Sequence, residues 1–316
     1  MDDKNRFALR LAISRLEFLS FPEKKLLENK LDTVSRLALL SIDDLSRAVG
    51  RVLNTRLWQP QTIEKRLERD MRLMEALHIG VVFYDEKRFP HLVTEIYDPP
   101  YALFFRGSFD VLAAPCIAVV GTRRPTGRGM ACTRELAREL AEAGFTVVSG
   151  LALGTDACAH AGALLSERGK TAAVLGSGVD TVTPAANKKL AACILEAGGC
   201  ILAEYAPETP AEKWRFPQRN RLVSALSFAT VVVEAPAGSG ALITADFALE
   251  QNRELCFHTC ALEYPHGSRE NAQNTYAERG HTKTRKEFRQ VSRYIEDGAC
   301  IISDAQQLCD LLNGSG

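Results

Sequence analysis

The sequence predicts an α/β protein, an extended Rossmann-like parallel sheet joined to an N-terminal helical domain. Three observations lead there. Five short apolar runs, CIAVV, FTVVS, TAAVLG, CILAEY and ATVVVEA, punctuate the middle of the chain. They are continuous rather than alternating, the pattern of strands buried on both faces. Polar or glycine turns and helix-like segments at 128–143, 156–168, 187–197 and 241–252 separate them, as in a doubly wound fold.

The elements follow in order. Residues 1–79 read as a helical domain: Leu9, Ile13 and Leu16 recur at helical spacing, as do Ile63, Leu67, Met71 and Met74, with Pro22 and Pro60 as breaks. Residues 80–115 read as a connector, with a short strand at Val81–Tyr84 and a turn at Asp98-Pro99-Pro100. Residues 116–257 form the Rossmann-like domain. Residues 258–290 are polar and aperiodic, an insertion expected to be partly disordered. Residues 291–316 return to a strand and a helix that complete the sheet domain.

With 39 basic and 39 acidic residues the net charge is zero, so affinity for a polyanion must come from local clusters. The nine cysteines include no CxxC, and Cys256 and Cys260, the closest pair, lack partners at finger spacing. Reduced thiols in a cytoplasmic protein are therefore expected, with no metal and no cofactor. No apolar run has the length of a membrane span.

Four loops fall after predicted strands, where the ligand edge of such a sheet lies. The first, starting at Gly121, carries Arg123 and Arg124 into a helix and suits a phosphate. It lacks the order of a dinucleotide fingerprint and the Walker lysine. The second runs from Ser149-Gly150 to Asp156 and His160; Asp156 is expected to cap the next helix and His160 to be a buried polar residue. The third offers Gly176 and Gly178 for close backbone approach, then Lys188 at a helix start. The fourth joins Arg219, Asn220 and Arg221 to the turn Gly238-Ser239-Gly240. Glu234, ending the strand between them, is expected to pair with Arg219 or Arg221. Phe216 and Trp214 stand nearby as rings for base stacking.

Taken together, GTRRPTGRG, SGLALGTDACAH, AVLGSGVD with Pro184 and Asn187, FPQRNRLVSALS and EAPAGSGALITADFALEQNR resemble, in order and spacing, the DNA-processing protein A family (DprA, also called Smf). The resemblance covers roughly residues 80–255, plus YIEDGACIISDAQQL near the end. It departs at GTR in place of GSR, and at Leu255–Cys260, where the family has a strand ending in Val-Pro-Gly. The resemblance implies a homodimer that binds single-stranded DNA and loads the RecA recombinase onto it, in natural transformation (competence) or another recombination task. It implies no catalysis. The alternative is a nucleotide-binding sensor or a nucleoside-monophosphate phosphoribohydrolase of the same Rossmann variant. Arg219 matches the arginine of that enzyme family, but its glutamate position falls on Thr244.

Overall fold

The computed structural model describes residues 3–54, 56–263 and 290–314. The elements are α1 (Asp3–Ser14), α2 (Phe21–Lys30), α3 (Val34–Ala38), α4 (Ile42–Val49), α5 (Ile63–Ala76), β1 (Gly80–Phe83), α6 (His91–Thr94), β2 (Ala102–Gly107), β3 (Cys116–Val120), α7 (Gly127–Glu142), β4 (Thr146–Ser149) and α8 (Thr155–Ala163). There follow β5 (Lys170–Val174), α9 (Lys188–Glu196), β6 (Cys200–Ala203), α10 (Arg215–Ala225), β7 (Ala229–Val232), α11 (Gly240–Glu250), β8 (Glu254–His258), α12 (Thr259–Glu263), α13 (Val291–Glu296), β9 (Cys300–Ile302) and α14 (Ala305–Gly314).

One nine-stranded sheet runs β1-β2-β6-β5-β4-β3-β7-β8-β9. From β6 to β9 neighbours are parallel, as the continuous apolar runs require. Alternation along β3 sorts its side chains between the faces. Ala118 and Val120 pack with Leu222 of α10 and Ala245 of α11, while Ile117 and Val119 pack with Leu136 and Leu140 of α7 and Leu308 of α14. Each fully buried Val, Leu or Ile is worth about 1.5–3 kcal/mol.

The segment 80–115 is more than the expected connector. β1 and β2 pair antiparallel, and β2 pairs antiparallel with β6, so Phe104 lies opposite Ala203. Local pattern hides this because the partner strand is far away in sequence. The N-terminal helices do not stand apart either: Leu9, Ile13 and Leu27 share one apolar cluster with Phe83, Phe104, Leu175 and Ile201. The predicted helix at 128–143 is α7, and that at 241–252 is α11. The segment at 156–168 stays helical only as far as Ala163 before turning. Of the polar insertion expected at 258–290, residues 264–289 lie outside the described residues. Residues 258–263 are ordered as the end of β8 and α12, and β9 and α14 appear near the expected C-terminal positions.

Candidate nucleic-acid interface

The sheet order reverses at β3, whose neighbours are β4 on one side and β7 on the other. At such a switch point the loops leaving adjacent strands part and open a crevice at their C-terminal ends. A cavity of about 560 Å³ lies there, bounded by Gly121–Arg123 after β3, Gly150 and Asp156 after β4, and Gly238–Ala241, Ile243 and Thr244 after β7. The first turn of α10 closes it with Phe216, Arg219 and Asn220, and Lys213 stands at its entry.

Each wall has a local cause. Thr126 caps α7, accepting from the Gly129 amide at 2.9 Å. Glu234 accepts from the Thr126 amide at 2.8 Å and from its hydroxyl at 2.6 Å. Glu234 thus braces the β3 loop, and the expected pairing with Arg219 or Arg221 does not occur. Its backbone carbonyl accepts from the Thr122 amide at 2.7 Å, tying the loops after β3 and β7 together. Asn187 secures the loop after β4, donating to the Leu151 and Ala152 carbonyls at 2.9 and 3.1 Å. Gly238 adopts φ +73°, a left-handed turn that glycine accommodates without steric cost. It leads to Ser239, the residue before α11.

Arg219 is the buried cation of the site, only 4% exposed, and donates to the Val174 carbonyl. Burial lowers its pKa, against the opposing pull of Asp156. Asp156 is buried too, and burial raises its pKa although Arg219 and the loop donors act in the other direction. Its carboxylate accepts from the Ala152 amide at 3.2 Å, and the residue before α8 is Gly154. Asp156 therefore pins the preceding loop and does not cap the helix, contrary to the expectation from sequence. His160 is fully buried; its Nδ1 lies 2.7 Å from the Thr171 hydroxyl. That hydroxyl gives its proton to the Val147 carbonyl, so the imidazole donates through Nδ1. Desolvation, with Arg219 as second cause, pushes the His160 pKa down to about 3.

The fold brings Gly121, Arg123, Gly150, Arg219, Asn220, Gly238, Ser239 and Gly240 to one cavity. It places the other predicted residues elsewhere. Arg221 faces away from the crevice, ion-paired to Glu204 and to Asp98. Gly176 backs onto the Phe216 ring, and Gly178 packs against Asp180 and the Ala206 carbonyl, outside the cavity lining. Lys188 is exposed at the start of α9, and Arg124 is exposed beside the lining residues without joining them. Of the two rings, Phe216 lines the cavity with the Arg123 guanidinium 5.8 Å from its centroid, whereas Trp214 lies beyond it beside Arg215. Sequence reasoning missed Lys213 and Thr122; the cation just ahead of the arginine helix was the available signal for Lys213.

The Ser239 hydroxyl is buried and has no hydrogen-bond partner among the described residues, and neither has Arg219 Nε. Together with exposed Arg123 and Lys213 they form a cavity rich in donors and cations, suited to phosphate oxygens. Among the described residues no helix is long and apolar enough to cross a membrane.

Residues 80–313 match the family model for DNA recombination-mediator protein A. Protein Smf of Borreliella burgdorferi is 34% identical over 240 residues, covering 76% of this chain and 75% of that protein. DNA processing protein DprA of Bacillus subtilis is 38% identical over 191 residues, and Protein Smf of Synechocystis is 44% identical over 175. The matches to those two cover 64% and 44% of their own lengths, less than two thirds of either. The structure of DNA processing protein A from Streptococcus pneumoniae superposes with a TM-score of 0.68 at 28% identity, covering 98% of both chains. That of DNA processing protein A from Helicobacter pylori, a protein with a single-stranded DNA binding mode, superposes at 0.58 and 28% identity over 76% of this chain and 97% of its own.

Proposed function

The chain belongs to the DNA recombination-mediator protein A family, and from that premise we propose that it binds single-stranded DNA at the crevice between β3 and β7 without cleaving it. The observation that carries this reading is the set of donors in one cavity: exposed Arg123 and Lys213, buried Arg219, the Ser239 hydroxyl, which has no partner among the described residues, and Phe216 on the wall. Cations and hydroxyls neutralise and bond phosphates, and an aromatic face stacks on any base, which yields binding with little sequence choice. A cavity of this size suits a phosphate and one unstacked base, which a single strand can offer and a paired duplex cannot.

A binding role, not catalysis, is supported by the state of Asp156, the one carboxylate among the described lining residues. It already holds the loop after β4, so no spare base faces the position a ribose would take. Thr244, where a phosphoribohydrolase would carry its glutamate, brings a hydroxyl that bonds the Gly240 carbonyl at 3.3 Å. In the wider reading the protein works as a cytoplasmic homodimer that loads the RecA recombinase on the bound strand, in competence or other recombination. The apolar side chain of Leu249, exposed on α11 and outside the cavity lining, offers surface for self-association.

The test is a salt-titrated binding measurement with single-stranded oligonucleotides, duplex and mononucleotides. Preference for single strands, with affinity falling by about 0.7 log units per log unit of salt for each phosphate bound, supports the proposal. Salt-independent binding that treats duplex and single strand alike contradicts it. Tight mononucleotide binding with release of free base would transfer the site to the hydrolase class.

A further inference from the structure

Away from the crevice, Cys132 of α7, His258 at the end of β8 and Cys260 in the first turn of α12 converge. Their Sγ, ring nitrogen and Sγ atoms all lie within 4.8 Å of one another, and His258 and Cys260 are buried. We propose that these three side chains form a Cys₂His zinc site that ties α12 to α7.

Four features of the cluster point to a metal. The first is the donor set: two thiolates and an imidazole suit Zn²⁺, which takes sulfur at about 2.3 Å and nitrogen at about 2.0–2.1 Å. In a tetrahedral site those lengths put the ligand atoms about 3.6–3.8 Å apart, so the present cluster need contract by only about 1 Å. The second is the imidazole orientation. Nε2 lies 2.9 Å from the Ser303 carbonyl, which can only accept, so Nε2 carries the proton and Nδ1 presents its lone pair. A backbone carbonyl on the far nitrogen is the usual way a zinc-bound histidine is fixed. The Cys260 amide donates to that Nδ1 at 3.1 Å, a contact that coordination would replace.

The third feature is charge. Zn²⁺ with two thiolates and a neutral imidazole sums to zero, so the filled site can stay buried without an uncompensated ion. The binding step balances as Zn²⁺ plus two thiols giving the bis-thiolate complex and two protons released to solvent. A fourth position is left for water. The fourth is placement: the three ligand atoms stand at the junction of α7 and α12, and Arg128 of α7 pairs with Glu263 of α12 across the same junction. No spacing rule finds this set, because one ligand precedes the other two by more than a hundred residues.

The experiment uses the full chain, purified with a phosphine reductant and stripped with a chelator, then titrated with Co²⁺ and back-titrated with Zn²⁺. The expected result is an intense thiolate-to-cobalt absorption in the near ultraviolet saturating at one equivalent, abolished by Zn²⁺, with about two protons released per metal at neutral pH. Cys132→Ser and Cys260→Ser should each weaken zinc binding by at least about 100-fold, since losing even an outer-shell partner costs 10–100-fold. Cys193→Ser, exposed on α9, should leave it unchanged. The absence of a thiolate band in the wild type overturns the site without recourse to any variant. So does a band that survives in both serine variants.

Discussion

The Arg219 guanidinium lies directly against the Cα of Gly150, so close that a methyl group there would overlap it. The glycine after β4 thus makes room for a cation from α10, and the pair joins two of the four loops named from sequence. The arginine is held by the Val174 carbonyl and sits beside Asp156, so its charge faces the cavity from a fixed position.

Gly150→Ala should force the guanidinium from its seat. Overpacking of this kind costs roughly 1–3 kcal/mol of stability. Single-stranded DNA affinity should fall with it, and urea unfolding beside fluorescence-anisotropy binding would read both. Unchanged affinity would mean that Arg219 is structural alone.

Arg123→Ala should behave differently. Arg123 is exposed, so stability should stay within about 0.5 kcal/mol. Binding should weaken by roughly 1.5–3 kcal/mol, and the salt slope should drop by about 0.7 if one phosphate contact is lost. Arg221→Ala should give the reverse outcome. It strands the largely buried Glu204 and should cost roughly 3 kcal/mol of stability while DNA affinity of the folded protein holds.

Ser239→Ala should leave stability nearly untouched, because the Ser239 hydroxyl has no hydrogen-bond partner among the described residues and makes no side-chain cap to α11. Affinity should fall by about 1.5–3 kcal/mol if that hydroxyl donates to a phosphate. Equal affinities by isothermal titration calorimetry would move the strand away from the α11 end of the cavity.

Acid should loosen the fold through His160. Its folded-state pKa of about 3 lies below the ordinary 6.5, so the unfolded chain binds the proton more readily. The stability tied to the neutral ring is present above pH 6.5 and is lost as pH falls toward 3, by up to about 1.4 kcal/mol per pH unit. His160→Asn, which retains a donor toward Thr171, should flatten that part of the curve. Denaturant midpoints between pH 4 and 7 for the two proteins would check it.

Much of this was legible in the chain. The apolar runs at Cys116–Val120 and Ala229–Val232 became β3 and β7, and the glycine turns after them reached one edge because parallel strands end together. What local pattern could not resolve is shown by Arg219 and Arg221. Both read as phosphate ligands, yet residues two apart on a helix point about 200° from one another. Packing of α10 turned Arg219 to Gly150 and Arg221 to Glu204.

The sequence alone determined the layered α/β architecture and the family, because hydrophobic period and turn chemistry are properties of neighbouring residues. Tertiary structure alone decided that β2 joins β6, that Glu234 holds Thr126, and that Cys132 meets His258 and Cys260. Those pairings span long stretches of chain, and only the burial of the intervening elements fixes which distant groups come within bonding distance.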